Sequence, residues 1–333
     1  SEMCIRDSKY IVVTGGPINF LSMKYFVVLA EERSFTKAAE KLHVTQQTLS
    51  AHVAGLEKES GAKLFIRHVP LELTDAGRVF YRYARIIRRN EMALERELTD
   101  AAGMGRGTLR IGVAPSRGQV VLTPVIESFR KSCPGIRIRL VEMANDMLWT
   151  ALARDEIDLV LARAPEALPG IACIPFAEED SVLYLSDDLA EALWGEKKGE
   201  ILSSLSERNR ELPESFAECP FLLNSESDIT GALARRLFGD AAIDPVIAVE
   251  SESMGTMLKL CVDGAGAYFC PESLAEKLLP RSAQKKLHRI TFEDGKYEIS
   301  FGYQKSAERW SMIGRFIEEA FKSRGKKFPL AKP

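Results

Sequence analysis

Histidine and cysteine are scarce in this chain, with four and six copies among 333 residues. Cys4, Cys133, Cys173, Cys219, Cys261 and Cys270 form no CxxC pair and no Cys/His cluster at metal-ligand spacing. That scatter speaks against a zinc module or a disulfide framework and predicts small core thiols in a reducing compartment. No apolar run approaches the ~18 residues that cross a bilayer. The uncharged stretch 10–23 is interrupted by Gly15, Gly16 and Pro17 and lacks a small-residue cleavage site, so it does not read as a secretory leader and the cytoplasm is expected. No nucleophile elbow or metal motif stands in a fitting context. The glycines of AAGMGRGT (101–108) precede a strand instead of following one, which makes them a linker and not a phosphate loop. An enzyme is therefore not expected, and neither is a cofactor.

What is present is the balance of a soluble multidomain protein, with 46% hydrophobic and 28% charged residues. The net charge of -2 hides an asymmetry: Lys+Arg against Asp+Glu is 14 to 9 over residues 1–89 and 31 to 38 over residues 90–333. A basic front of +5 suits a polyanion, and an acidic body of -7 does not.

Helical periodicity starts near Met23, so residues 1–20 are read as an extension, disordered or not native to the fold. Met23, Phe26, Val27, Leu29 and Ala30 mark one buried face of a first helix. Ser34 and Thr36 are both plausible caps for a second helix, ending at Leu42, whose Ala38 and Ala39 let another helix cross closely. Thr45 then caps a third helix, to about Ser60, with Leu49, Val53 and Leu56 inward and Gln46, Gln47, Ser50 and Ala54 outward. Two short helices joined by a tight turn, the second with a polar face, make a helix-turn-helix.

The stretch Phe26 to Gly77, FVVLAEERSFTKAAEKLHVTQQTLSAHVAGLEKESGAKLFIRHVPLELTDAG, resembles the LysR-type transcriptional regulators. The shared elements are the SFTKAAEKLHVTQ core, the LxxHVxxLE helix, the LFxR strand and the LTDAG exit, in order and at the family's spacing. The resemblance implies a winged helix-turn-helix over 21–77 that binds double-stranded DNA. A linker and dimerisation helix with its hinge follows over 78–107. A two-lobed, periplasmic-binding-protein-like α/β effector domain completes the chain over 108–325, with lobe I at 108–165 and 283–325 and lobe II at 166–282. LRIGVAP, EIDLVLAR and DGAGAYFCPES carry the likeness in the second half, where alternating strands and helices read as parallel βαβ units. The segment 187–218 is longer than the pattern requires.

Thr74 should cap a helix running to about Asp100, with Phe80, Tyr83, Ile87, Leu94 and Leu98 along a narrow seam. Such a seam needs a partner: a second copy, giving a dimer or tetramer, or the chain's own body. DNA contacts are expected from Lys37, Thr45, Gln46, Gln47, Ser50 and His52, and from Arg67 and His68 on a wing turned at Val69-Pro70. Glutamine amides match the adenine edge, and Lys41, Lys63 and Arg78 would add attraction to phosphates. Ala51 stands where family members often carry arginine. By matched position, Ser116, Arg117, Asn145, Asn224 and Ser225 would line an effector site at strand ends, where free amides suit a small anionic metabolite. Two alternatives remain: redox sensing through Cys261 and Cys270, and small-molecule binding without a DNA role.

Overall fold

The computed structural model describes residues 19–68, 70–101, 106–165, 169–205, 208–305 and 310–326. Residues 1–18 of the extension expected over 1–20, Cys4 among them, Val69 of the wing turn and hinge residues 102–105 lie outside the described residues. Contacts divide the chain into two units, one to Arg96 and one from Glu97.

In the first unit, α1 (Phe20–Glu32) starts three residues before the periodicity predicts, because the Asn19 side chain caps it by accepting from the Ser22 amide at 2.7 Å. Asn19 and Phe20 thus belong to the fold and not to the extension. Ser34, and not Thr36, caps α2 (Phe35–Leu42). Thr45 caps α3 (Gln46–Ser60), accepting from the Thr48 amide at 3.1 Å, and Gly61 ends it at φ 66°. Phe26, Leu29, Ala38, Leu49, Val53 and Leu56 close the core between these three helices. Each large apolar side chain so buried contributes on the order of 1.5–3 kcal/mol. Strands β1 (Phe65–Ile66) and β2 (Glu72–Leu73) pair antiparallel as the wing.

The long helix α4 (Asp75–Ala101) follows, with Thr74 Oγ1 accepting from the Gly77 amide at 2.9 Å. Its 27 residues extend about 40 Å. The expected seam splits in two. Phe80 and Ile87 pack into the first unit's core, and Phe80 lies edge-on to Phe26 at 4.8 Å. Tyr83, Leu94 and Leu98 stay exposed, joined by Val79 and Ile86. Leu94 and Leu98 share the angular side of Phe80 at 3.6 residues per turn and lie past Ile87, the last described residue of α4 packed on that core.

The second unit is built, among the described residues, on an eight-stranded mixed sheet. It begins with β3 (Gly107–Val113), then α5 (Pro115–Arg117), a π turn (Gly118–Leu122) and α6 (Thr123–Ser132), where the sequence predicts one helix from Gln119. Next come β4 (Ile136–Glu142), α7 (Asn145–Ala153), β5 (Leu159–Arg163) and β6 (Ile171–Ser186). The long 187–218 segment forms α8 (Asp187–Trp194), α9 (Lys198–Ser204) and single 3-10 turns, with Leu189, Leu212 and Phe216 buried in the local core. Then follow β7 (Pro220–Leu223), α10 (Ile229–Asp240), β8 (Val246–Glu250), α11 (Met254–Val262), β9 (Ala267–Pro271), α12 (Glu272–Leu278), α13 (Arg281–Gln284), β10 (Leu287–Gln304) and α14 (Ser311–Ser323).

Strand order is β4-β3-β5-β10-β6-β9-β7-β8. β3 runs parallel to β4 and β5, and β7 runs parallel to β8 and β9. Between the two parallel groups, β6 and β10 pair antiparallel along almost their whole length and cross from one lobe to the other. The sequence pattern gives no sign of β6 and splits β10 into Arg289–Phe292 and Glu298–Gln304. Pro175 and the acidic run Glu178, Glu179, Asp180 hide the strand pattern of β6, and Asp294-Gly295 reads as a turn. Gly295 instead lets β10 pass close beside β6, since a Cβ there would sit 2.5 Å from the Ser181 carbonyl oxygen.

Candidate nucleic-acid interface and effector cleft

On the first unit, the N-terminal half of α3 and the wing enclose an open concavity of about 790 Å³ lined by Gln46, Gln47, Ser50, Arg67 and His68 with Phe35, Ala51, Ala54 and Leu71. Five of the eight sequence-predicted DNA residues therefore share one face. Thr45 stands just before them as the cap that sets the start of α3. Lys37 is exposed on α2 and does not line the concavity. His52 departs from expectation: it turns toward α1, sharing a 2.9 Å hydrogen bond with Ser22 Oγ and meeting the Tyr25 ring edge-on at 4.8 Å. On a helix the 100° step carries position 52 off the face shared by 46, 47 and 50.

Glu57, which the sequence leaves without a role, holds the wing to α3. It is buried, accepts from the Leu64 amide at 2.9 Å and the Lys63 ammonium at 2.8 Å, and lies 3.7 Å from the Arg67 guanidinium. Burial alone would raise its pKa. The Lys63 ammonium and the Leu64 and Phe65 amides outweigh that effect and hold it below the ordinary 4.5. Among the expected phosphate-contacting cations, Lys41 pairs with Glu32 and Arg78 with Asp75.

On the second unit, a cleft of about 360 Å³ lies between the lobes, and Ser116, Arg117, Asn145, Asn224 and Ser225 all line it. Three separate stretches of chain, each leaving the end of a strand, bring them together. Their local bonding differs. Asn145 ties α7 to β5, accepting from the Arg163 amide at 2.9 Å and donating to its carbonyl at 3.2 Å. Arg117 is buried and forms a two-point pair with Glu179 of β6, Nε to Oε1 at 3.1 Å and Nη2 to Oε2 at 2.8 Å. Tyr297 of β10 donates to the same carboxylate at 2.8 Å. Burial opposes the guanidinium's charge, but Glu179 overrides it and keeps the pKa above the ordinary value. The Tyr297 phenol is pushed well up by burial and by Glu179.

Asn224 is also buried, and its Oδ1 has no hydrogen-bond partner among the described residues, although the Tyr268 side chain is near enough to interact with it. The Ser225 amide donates to Glu252 at 3.0 Å. Asp228, Thr230, Glu252 and Tyr297 line the cleft as well and were not singled out from sequence. Asp228 had a readable signal, as an N-cap ahead of an apolar helix. Glu179 and Tyr297 had none, because their partners are distant in sequence.

Cys261 and Cys270 are buried in one apolar cluster with Met257, Leu258 and Tyr268. Burial pushes the Cys261 thiol up to about 12 and the Cys270 thiol well above its usual value. Protonated thiols of this kind are poor nucleophiles, so the structure offers no support to the redox alternative. Among the described residues, no three His, Cys, Asp or Glu side chains gather as a metal site. No helix there is long and apolar enough to cross a membrane.

A helix-turn-helix with a wing, joined to a two-lobed α/β body with a polar cleft, defines a DNA-binding regulator with an effector domain. Residues 20–78 match the bacterial regulatory helix-turn-helix proteins of the lysR family, and residues 102–323 match the LysR substrate binding domain. The chain belongs to the LysR family of transcription regulators. It is 28% identical to the nitrogen assimilation regulatory protein nac of Klebsiella aerogenes over 263 residues, 78% of this chain and 81% of that protein. It is also 28% identical to the regulator BudR of Raoultella terrigena over 305 residues, 89% and 98% of the two chains. The fold is that of a full-length OxyR variant from Pseudomonas aeruginosa, at 20% identity and TM-score 0.59 over 92% and 95% of the chains. CbnR complexed with its target DNA matches at 23% identity and TM-score 0.52 over 92% and 99%. These relatives are transcription regulators, and this chain is one rather than an enzyme.

Proposed function

We propose that this regulator reads an interrupted palindromic operator as a homodimer or homotetramer in the cytoplasm, and that a small molecule in the interlobe cleft modulates transcription. In this reading, residues 21–77 bind DNA, 78–107 couple two copies, and 108–325 sense the effector. Gln46, Gln47 and Ser50 approach base edges in the major groove, Arg67 and His68 of the wing approach phosphates or the minor groove, and Lys37 adds attraction to the backbone. Thr45 fixes where α3 begins. Ser116, Arg117, Asn145, Asn224 and Ser225 form the effector wall, with Arg117 acting through its buried pair.

The observation that carries the reading is the sharing of one concave face by Gln46, Gln47, Ser50, Arg67 and His68. Oligomerisation is supported by the outer row of α4, where Tyr83, Leu94 and Leu98 are each more than half exposed at 58%, 59% and 61%. The test is fluorescence anisotropy of the full chain on the DNA upstream of its own gene at low ionic strength, with mass measured in solution. Specific binding by a dimer or larger species is expected. A monomer that ignores that DNA overturns the proposal.

A further inference from the structure

The part of α3 that lines the DNA-facing concavity is divided by chemistry. Gln46 and Gln47 are exposed amides and Ser50 a half-buried hydroxyl, whereas Ala51 and Ala54 present bare methyl groups to solvent. Phe35 of α2, half-buried, lines the same space. Gln47, Ala51 and Ala54 follow one another at i, i+4 and i+7 and so form one row, with Gln47 at the helix end that meets base edges and Ala51 one turn behind it. Leu49, Val53 and Leu56 supply the core from the opposite side of the helix, so packing of the unit does not account for apolar groups on this face.

The lining set matches some base edges and not others. Guanine presents two acceptors, O6 and N7, that arginine or lysine meets, and α3 contributes no cation among the described lining residues. Adenine N6 and N7 suit a glutamine amide. Thymine projects its C5-methyl into the major groove, and covering that methyl with an amide or hydroxyl would take the polar group out of water without a hydrogen bond to replace it. An alanine methyl carries no such penalty, and a row with no side chain beyond Cβ lets the helix come close to the bases.

We infer that Ala51 packs against the C5-methyl of a thymine, with Ala54 and Phe35 completing the apolar surface, so that the bases read by α3 are adenine through its amides and thymine through this contact. This rests on α3 entering the major groove, as proposed above. Four residues of helix rise about 6 Å, which sets the thymine within about two base pairs of the adenine that Gln47 meets. Burial of one methyl group is worth about fourfold in Kd.

The test is selection of a binding site from randomised duplexes by the full chain, followed by replacement of each thymine in the selected half-site by deoxyuridine, which removes the methyl and leaves O4 and the pairing unchanged. Fluorescence anisotropy gives Kd on every duplex. At one thymine the wild-type chain is expected to lose about fourfold with the methyl, and Ala51→Gly is expected to bind the thymine and deoxyuridine duplexes alike. Glycine also weakens the helix, but that loss falls on both duplexes and leaves their ratio readable; Ala51→Ser, a better helix former, should likewise reduce the ratio to no more than about twofold. A selected half-site without thymine, or one in which no thymine methyl matters, overturns the inference while leaving α3 in the groove. A thymine preference that survives both variants assigns the contact to another residue and overturns it as well. Should the chain select no site at all, the groove reading itself fails, and the inference with it.

Discussion

Arg117 and Glu179 face each other at 2.8 Å with 4% and 5% of their side chains exposed, and they join the helix that opens lobe I to a strand that crosses into lobe II. Removing one partner strands a buried charge. Glu179→Ala is expected to lower stability by about 3–5 kcal/mol. Replacing both residues by apolar ones of similar volume should recover much of that loss. Urea unfolding of the two variants separates the outcomes, and equal losses for both would show that the pair is not what holds the lobes at this point.

Glu57 gives the wing a sign-defined pH dependence. Its carboxyl is depressed in the folded chain, so its contribution is complete above the unfolded value near 4.5 and is lost as pH falls through the lower folded value. Hydrogen-exchange protection factors at the Leu64 and Phe65 amides, taken relative to the intrinsic rate at each pH, should fall selectively below about pH 4.5, and in Glu57→Ala they should already be low at neutral pH. Acid-independent protection of those amides would remove Glu57 from this role.

Base reading and phosphate contact separate on α3 and the wing. Gln46→Ala should narrow the gap between operator and random DNA by about 1–3 kcal/mol. Arg67→Ala should weaken both equally and reduce the salt slope by about 1. Salt titrations on the two DNAs measure both effects, and identical losses for the two variants would reverse the assignment.

The buried thiols predict silence toward oxidants. Cys173 is the exposed cysteine among the described residues, and Cys133, Cys219, Cys261 and Cys270 are buried. Native alkylation followed by mass mapping should mark Cys173 ahead of those four, and Cys261→Ser with Cys270→Ser should leave DNA binding unchanged under peroxide. Loss of a peroxide response in that double variant would revive a redox role.

Local rules made much of the fold legible. Ser34, Thr45 and Thr74 cap the helices expected to follow them, and the third helix ends at Ser60 as expected, with Gly61 as its left-handed cap, because capping depends on neighbours in sequence. The crossing strands were obscured for the opposite reason: β6 carries Glu179 inward to meet Arg117 and Tyr297, a pairing no window of sequence displays. The cleft followed the same division. Positions matched to the family at strand ends led to Ser116, Arg117, Asn145, Asn224 and Ser225, but whether Arg117 is free or spent depends on Glu179, 62 residues away. His52 escapes a reading of its own helix because Ser22, 30 residues earlier, draws it inward.

The ribbon formed by β6 and β10 has a mechanical consequence. Two loose peptides between lobes would permit sliding, but paired strands resist it, since translation would break every rung between them at once. Bending and twisting keep the rungs intact. A change in angle between the lobes is therefore the motion that these paired strands leave open.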